Sequence, residues 1–293
     1  MIHILENDKL TVKIEDHGAE LKSVLGKNSN FEYLWHGSPD YWKRSAIILF
    51  PVCGRLFNKK YTYNGKEYTM DIHGFAKDSD FKVAQKTTDK IVFELTENEE
   101  TLKQYPFKFL LRISYTLIGA TIKTSACAFN TGNEDLPFSL GGHPGFSVPL
   151  EKGLNFDDHY IEFSEKGKHF KNQFSSNGLD LGTTVDYPLA DGNKLMLTHE
   201  LFDDDALFFV EKDGYATLKS DKTDRFVKVS YKDITHLGIW QTRADDTPFV
   251  CIEPWHGVPA DEGVMDDFAT KKEFIHLKNG ESYELAFDIT VSE

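Results

Sequence analysis

Five ionisable residues stand out because each lies in a segment that is otherwise apolar or typical of a tight turn. They are Arg55 in ILFPVCGRLFN, His73 in DIHGFAKDSD, His143 in SLGGHPGF, Asp205 in LFDDDALFFV and Glu253 in FVCIEPWHG. Histidine and carboxylate side chains are frequent proton donors and acceptors in catalysis. The residue types in this set therefore suit proton transfer.

Glu253 is the hardest member of the set to explain as an ordinary surface residue. It follows Val250, Cys251 and Ile252 and precedes Pro254. A carboxylate that is buried without a partner costs several kcal/mol or shifts its pKa. This order of residues suggests a carboxylate held in a cleft at the end of a strand.

The other four residues, taken singly, have ordinary alternative explanations. A histidine beside a glycine is usually a turn residue, which applies to His73 and His143. Acidic clusters are usually solvated, and a cation after a strand, such as Arg55, is usually on the surface. Within the acidic triplet we select Asp205 over Asp204, because Asp205 directly precedes the strand-like Ala-Leu-Phe-Phe.

Motifs for common cofactors and nucleophiles are missing from the sequence. It contains no GxSxG, GxxxxGK[ST] or GxGxxG pattern. His73, His143 and Glu253 carry groups that suit several metal ions, but no HxH or HExxH spacing supports a metal site. We therefore expect neither a metal nor a cofactor.

Composition is typical of a soluble globular protein, with 293 residues, 40% hydrophobic and 27% charged residues, and a net charge of -14. The acidity and the lack of a basic stripe argue against nucleic-acid binding. No apolar run of about 18 residues predicts a membrane span, and the first residues lack a signal-peptide pattern. Cys53, Cys127 and Cys251 form neither a disulfide framework nor a zinc motif, which fits a reduced cytoplasm.

Short runs of alternating, β-branched and aromatic residues recur along the chain between turn signals. Asn64-Gly65, Asp191-Gly192, Asp213-Gly214 and Asn279-Gly280 are the turn signals. This pattern predicts an antiparallel, hairpin-rich, all-β protein. The runs are LTVKIED (10–16), KIVFELTE (90–97), FKFLLRISYTLIG (107–119), IKTSACAFN (122–130), ALFFVEK (206–212), RFVKVSYK (225–232) and YELAFDITV (283–291).

No repeat, low-complexity tract or linker divides the chain, so we expect one large β-sandwich or barrel domain over residues 1–293. Residues 97–106 hold at most one short helical turn that ends by Pro106. The last strand pattern is expected to pair into a sheet.

The five motifs together resemble the aldose 1-epimerase (galactose mutarotase-like) superfamily, and most closely its LacX-type branch. The resemblance covers nearly the whole chain and is carried by ILFPVCGR, DIHGFA, GGHPGF, DDALFF and CIEPWHGVPA, in the order that the family has them. It implies a large antiparallel β-supersandwich, an all-β fold that agrees with the hairpin pattern. It also implies an enzyme that needs no cofactor.

The resemblance further implies a role for each of the five residues. Glu253 would be the general base and His143 the general acid, whereas Arg55, His73 and Asp205 would hold sugar oxygens. The substrate would be a free aldohexose whose α and β anomers the enzyme interconverts. On this interpretation, the bare glycine backbone around His143 allows the sugar ring to approach.

Aromatic side chains often pack against the apolar face of a sugar ring, although aromatic residues in strands are usually core. Trp35, Trp42 and Trp240 lie near the motifs. We select three others, Phe75, Phe146 and Trp255, as the expected sugar contacts.

Several alternatives remain open from the sequence. Phe75 after Gly74, and Pro144 after His143, depart from the galactose mutarotases and leave the sugar undefined. A hexose 6-phosphate would need a cationic site, to which Lys43-Arg44 beside Arg55 would contribute. A sugar-binding or sensing protein of the same fold, and an isomerase or lyase acting on modified sugars, are further alternatives. The protein would be a monomer or a homodimer.

Overall fold

The structure, a computed structural model, describes residues 1–293 and consists mainly of β-strands. Its one α-helix, α1, spans Glu99–Gln104, where the sequence predicts a single helical turn. Four short 3₁₀ helices span Phe57–Lys59, Ala76–Asp78, Phe156–Asp158 and His199–Phe202. No helix is both long and apolar enough to cross a membrane.

The strands, numbered in chain order, are β1 (Ile2–Glu6), β2 (Leu10–Glu15), β3 (Leu21–Gly26), β4 (Ala46–Leu49), β5 (Lys60–Tyr63), β6 (Lys66–Thr69), β7 (Lys82–Lys86), β8 (Lys90–Thr96), β9 (Phe109–Ile118), β10 (Thr121–Asn130), β11 (Leu136–Phe138), β12 (Leu140–Ser147), β13 (Tyr160–Phe163), β14 (His169–Phe174), β15 (Asp180–Tyr187), β16 (Lys194–Met196), β17 (Leu207–Val210), β18 (Gly214–Ser220), β19 (Thr223–Tyr231), β20 (His236–Trp240), β21 (Phe249–His256), β22 (Ile275–Leu277) and β23 (Ser282–Val291).

Two large antiparallel sheets dominate the fold. The nine-stranded sheet has the order β16-β13-β18-β19-β23-β10-β9-β8-β7, and the seven-stranded sheet has the order β15-β14-β17-β20-β21-β12-β4. A three-stranded sheet, β1-β2-β3, and the pairs β5-β6 and β11-β22 complete the structure. The all-β supersandwich implied by the family resemblance is confirmed.

All seven strand-like runs of the sequence coincide with strands of the structure. The last of them, β23, lies between β10 and β19, so its predicted pairing is confirmed. Asn64 and Gly65 join β5 to β6 with positive φ angles of 50° and 72°. Positive φ at both central residues matches the right-handed twist of a two-residue hairpin, which is why Asn-Gly predicts this turn.

The seven-stranded sheet turns one face toward the nine-stranded sheet and the other face outward. Successive residues of a strand point to opposite faces, so Gly142 and Phe146 of β12 face inward while His143 faces outward. A Cβ at Gly142 would lie 2.5 Å from the ring of Phe287 in β23. The sheets therefore pack closely behind His143, and the candidate chemistry lies on the outer face.

Candidate active site

Two adjacent strands place His143 and Glu253 opposite one another. In the β12–β21 pair Gly141 lies opposite Trp255 and Gly145 opposite Cys251. Counting two residues along each strand puts His143 opposite Glu253, with both side chains on the outer face. Side chains directly opposite across antiparallel strands lie close together, so the register itself builds this pair.

His143 and Glu253 form a buried contact in which Nε2 of the imidazole lies 3.2 Å from Oε2 of the carboxyl group. The residues are 6% and 2% exposed. Burial lowers the pKa of His143. Burial, and next the charge of Asp205, raise the pKa of Glu253 well above its ordinary value. Both shifts favour the neutral form of the group concerned, because a low-dielectric environment disfavours isolated charge.

Aromatic rings hold the imidazole of His143 from two sides. Trp42 stacks on it with ring centroids 4.7 Å apart and an interplanar angle of 28°. Trp240 contacts it edge-on at 5.5 Å. This packing fixes the ring plane and leaves Nε2 directed at Glu253.

His73 approaches the same imidazole edge-on, with ring centroids 5.5 Å apart. Its Nδ1 accepts a hydrogen bond of 3.1 Å from the backbone N–H of Gly54, so the neutral ring carries its proton on Nε2. Burial, and next the neighbouring His143, lower the pKa of His73. His73 is therefore a neutral donor, suited to a hydroxyl oxygen.

A cleft of about 400 Å³ lies over these groups, within the usual size range of small-ligand sites. Arg55 and Asp205 also line it, with an Nη2–Oδ2 distance of 3.9 Å. Their side chains are 47% and 39% exposed, so both are open to a ligand. Asp204 is exposed and lines only an adjoining groove of about 650 Å³, which shares Asp205 and Trp240 with the cleft. The structure thus brings all five predicted ionisable residues to one cleft.

The sequence matches the family model described as Aldose 1-epimerase over residues 1–290. The chain belongs to the aldose 1-epimerase family. The plasmid-encoded Protein LacX of Lactococcus lactis subsp. lactis is 32% identical over 299 residues, covering 98% of this chain and 98% of LacX. This similarity confirms the resemblance to LacX-type proteins.

Solved structures agree with this assignment. A galactose mutarotase related enzyme from Lactobacillus acidophilus has 35% identity and a TM-score of 0.96, and the match covers 100% of this chain and 98% of that one. A galactose mutarotase-like protein from Lactobacillus casei has 32% identity and a TM-score of 0.95, with 100% of both chains covered. Membership of the family supports an isomerase-type enzyme with a mutarotase-like function.

Two of the three aromatic residues selected from the sequence do not line the cleft of this aldose 1-epimerase family member. Phe146 is 0% exposed and belongs to the core, because it lies three residues after His143 and thus on the opposite face of β12. Phe75 is 6% exposed and packs on the core rings of Phe50, Tyr105 and Phe109. The expectation that these two residues contact a sugar was wrong.

The third selected residue, Trp255, does line the cleft, together with Trp42 and Trp240, which the sequence only identified as candidates. Phe174 and Phe208 also line it and were not predicted. Strand alternation was a signal that could have separated Trp255 from Phe146. Trp255 lies two residues after Glu253 on β21 and must share its face, whereas Phe146 cannot share that of His143.

The glycines around His143 have a different structural role from the one that the sequence suggested. A Cβ on Gly141 would lie 3.0 Å from Trp255 Cδ1, and one on Gly145 would lie 3.2 Å from Trp42 Cζ3. Protein side chains thus occupy the space that the missing Cβ atoms leave. The glycines therefore make room for the aromatic walls of the cleft.

Three buried groups, two of which line the cleft, lie close enough together to hold a metal ion. The potential ligand atoms of His143, Cys251 and Glu253 all lie within 4.8 Å of one another, and all three residues are buried. Cys251 shares the outer face of β21 with Glu253 because the two are separated by one residue. The expected absence of a metal stays a prediction.

The cations that line the cleft all have acidic neighbours. Arg44 contacts Glu20 and Asp78, and Lys77 contacts Asp78 as well. Arg55 faces Asp205, as described above. The cleft therefore offers hydrogen-bond donors without a concentrated positive charge.

Proposed function

We propose that this protein is a cofactor-independent aldose 1-epimerase that interconverts the α and β anomers of a free aldohexose. Glu253 is the general base and His143 the general acid. The observation that carries the proposal is the buried 3.2 Å contact between these two proton-exchanging groups in a cleft of monosaccharide size. Family membership supplies the reaction class.

The reaction requires two coordinated proton transfers. Glu253 removes the proton of the C1 hydroxyl while His143 delivers a proton to the ring oxygen, and the bond between C1 and the ring oxygen breaks. Rotation about C1–C2 presents the other face of the aldehyde, and the ring recloses with the two roles reversed. Each positioned group contributes about 10²- to 10⁴-fold to the rate.

The electrostatics of the pair match this sequence of events. Ring opening starts from a carboxylate and an imidazolium, and it leaves a carboxylic acid and a neutral imidazole. Burial favours the neutral forms of both groups, so the site stabilises the protonation state that accompanies the open-chain aldehyde. The same neutral pair is ready to reclose the ring, because the acid can donate and the imidazole can accept.

The remaining cleft residues suit a neutral sugar. His73 Nε2–H and the Arg55 guanidinium donate hydrogen bonds to hydroxyl oxygens, and the Asp205 carboxylate accepts from hydroxyl protons. The indoles of Trp42 and Trp255 offer apolar surface to the ring face. Together these groups position C1 and the ring oxygen between the acid and the base.

A free sugar fits the cleft better than a hexose 6-phosphate does. A phosphate needs unopposed donors such as a pair of arginines, yet Arg44 and Lys77 are already engaged with carboxylates. A non-catalytic sugar sensor is also less well supported. A binding protein needs hydrogen bonds to its ligand, not two buried titratable groups that face one another.

Two further expectations stand as proposals beside the activity. One core cluster contains residues from Leu5 to Val291, which supports a single domain over residues 1–293. Cys53, Cys127 and Cys251 are free thiols, which supports the reduced cytoplasm as the location.

The test is polarimetry of freshly dissolved α-D-glucose and α-D-galactose, with the spontaneous rate subtracted. We expect the wild type to accelerate anomer interconversion and Glu253→Gln to lose about 10²- to 10⁴-fold in kcat, because the amide keeps the volume but accepts no proton. Sugar binding, measured by calorimetry, should persist in the variant. Asp204→Asn, which changes an exposed carboxylate beside the cleft, is the matched control.

Two results would contradict the proposal. An unchanged rate in Glu253→Gln would end the assignment of the general base. No acceleration by the wild type, with sugar binding still detectable, would favour the sensor. Glucose 6-phosphate and galactose 6-phosphate in the same assay test the phosphorylated alternative.

A further inference from the structure

The hairpin turn between β14 and β15 reaches the cleft. We call this turn, residues 175–179, the strap. The N–H of Gly178 donates a hydrogen bond of 2.9 Å to the carbonyl of Ser175, and the N–H of Ser175 donates one of 2.9 Å to the carbonyl of Leu179. Within the strap, only Gly178 lines the cleft. The strap is therefore a closed turn that places one glycine at the binding surface.

Hydrogen bonds tie the end of the strap to the segment that carries Arg55. The next residue, Asp180, donates its N–H to the carbonyl of Ala260 at 2.9 Å, and Ala260 donates its own N–H to the carbonyl of Arg55 at 2.8 Å. Asp180 is 2% exposed, and its carboxylate accepts a hydrogen bond of 3.0 Å from Nζ of Lys272. Charge-assisted bonds of this kind are among the stronger ones in proteins. The strap therefore has a firm anchor beside Arg55.

Gly178 lies directly against both Arg55 and Asp205. A Cβ at Gly178 would lie 2.9 Å from Nε of Arg55 and 3.0 Å from Oδ2 of Asp205. These distances are too short for van der Waals contact, so a side chain here would displace the guanidinium, the carboxylate or both. The bare backbone of Gly178 is thus what allows the two charged groups to occupy their present positions.

The carboxylate of Asp205 has little freedom to move away. Asp205 has a φ of 80°, which is uncommon for a residue other than glycine. Its Oδ1 accepts a hydrogen bond of 3.0 Å from the N–H of Ala206, and this bond leaves Oδ2 facing Arg55 at 3.9 Å. A side chain at Gly178 would therefore act mainly by moving the guanidinium of Arg55.

We propose that Gly178 is a positioning residue for the sugar, because its missing side chain lets the strap hold Arg55 and Asp205 at the spacing that bound hydroxyl groups require. The inference rests on the proposed function, in which these two charged groups bind the hydroxyls. Gly178 itself has no part in proton transfer. Its replacement should therefore weaken sugar binding and spare the chemical step.

The chain offers a matched control with the same backbone conformation. Gly178 and Gly182 both have a φ of 69°, but a Cβ at Gly182 would meet no atom within 4 Å. Alanine at either position carries the strain of a positive φ, and only Gly178→Ala adds the contact with Arg55 and Asp205. Asparagine tolerates this conformation better, so Gly178→Asn and Gly182→Asn form a second pair with less strain.

The experiment is polarimetry of D-glucose and D-galactose with these four variants, and circular dichroism monitors the fold. We expect both Gly178 variants to raise KM by about five- to tenfold with kcat within about twofold of the wild type, the pattern of lost uniform binding. Both Gly182 variants should leave KM and kcat unchanged. Equal KM values in the two members of a pair, or a fall in kcat without a rise in KM, would overturn the assignment.

A double-mutant cycle tests whether Gly178 acts through Arg55. Arg55→Ala alone should raise KM, and it removes the guanidinium that the new Cβ would displace. Adding Gly178→Ala to Arg55→Ala should therefore raise KM by a smaller factor than Gly178→Ala does in the wild type, because contacting residues are not additive. Full additivity would contradict the positioning role.

Calorimetry separates failure of the positioning role from failure of the proposed function. If a sugar binds but is not turned over, weaker binding to Gly178→Ala than to Gly182→Ala would still support the role of Gly178. If the wild type turns the sugar over and both variants bind it equally well, the activity stands and the positioning role is refuted.

Discussion

The pH dependence of activity tests the electrostatics of the His143–Glu253 pair directly. In the proposed mechanism the competent pair holds one exchangeable proton, and the pair is inactive with two protons or with none. The lowered pKa of His143 means that the pair takes a second proton only well below the ordinary histidine value of 6.5. The raised pKa of Glu253 means that the last proton leaves only well above the ordinary value of 4.5. The structure therefore predicts a broad plateau.

Two solvated and independent groups would give a narrower pH profile. With ordinary pKa values of about 4.5 and 6.5, activity would be confined between them. The imidazolium fraction would fall tenfold per pH unit above 6.5, so that activity would drop about 30-fold by pH 8. With the buried pair we expect kcat/KM to stay nearly constant from pH 6 down to pH 4, because burial lowers the pKa of His143 to about 3. We expect no separate imidazolium limb at pH 6.5, because the limb at higher pH belongs to the pair and follows the raised pKa of Glu253.

The assay is polarimetry of α-D-glucose at each pH, with the buffer-catalysed rate subtracted and the fold monitored by circular dichroism. A bell-shaped profile with limbs near pH 4.5 and 6.5 would refute the reasoning, because it would show two solvated and independent groups. A profile with a single limb would also refute it, since it would leave one of the two groups out of catalysis.

Three further outcomes follow from the geometry. His143→Asn should lower kcat by about 10²- to 10⁴-fold with little change in sugar binding, measured by polarimetry and calorimetry; full activity would remove the imidazole from the acid role. Asp205→Asn should raise KM in the same assay, whereas Asp204→Asn should not, and equal effects would reverse the choice between them. Gly142→Ala should lower the free energy of unfolding in urea by about 1–3 kcal/mol, because its Cβ would overlap the ring of Phe287; an unchanged midpoint would contradict the close sheet contact.

Much of the fold could be predicted from local sequence patterns. Strand runs such as residues 107–119 and 283–291 carry β-branched and aromatic residues, and Asn-Gly pairs such as Asn64-Gly65 specify tight hairpins. These signals act over a few residues and are readable without tertiary information. The order of strands within the two large sheets depends on contacts between distant segments and was not predicted, and the supersandwich architecture came only from the family resemblance.

The five ionisable residues of the candidate site were also visible in the sequence, because each interrupts an apolar or glycine-rich segment. The residue pattern alone did not show that these five side chains converge on one cleft. Arg55, His73 and Asp205 lie on connections between elements, and only the folded sheets bring them to the outer face where His143 and Glu253 meet. The groove that adjoins the cleft was not visible in the sequence for the same reason, since its walls come from β14, β20 and the segment around Asp204.

The wrong prediction for Phe146 shows which local rule was neglected, whereas Phe75 lies outside the strands. Proximity in sequence to His143 suggested Phe146, yet an odd separation along a strand reverses the face. Trp255 lies at an even separation from Glu253 and does line the cleft. Gly141 and Gly145 lie at even separations from His143, and their missing side chains make room for Trp255 and Trp42. In a strand that carries a catalytic residue, neighbours at even separations build the site, and neighbours at odd separations anchor it to the core.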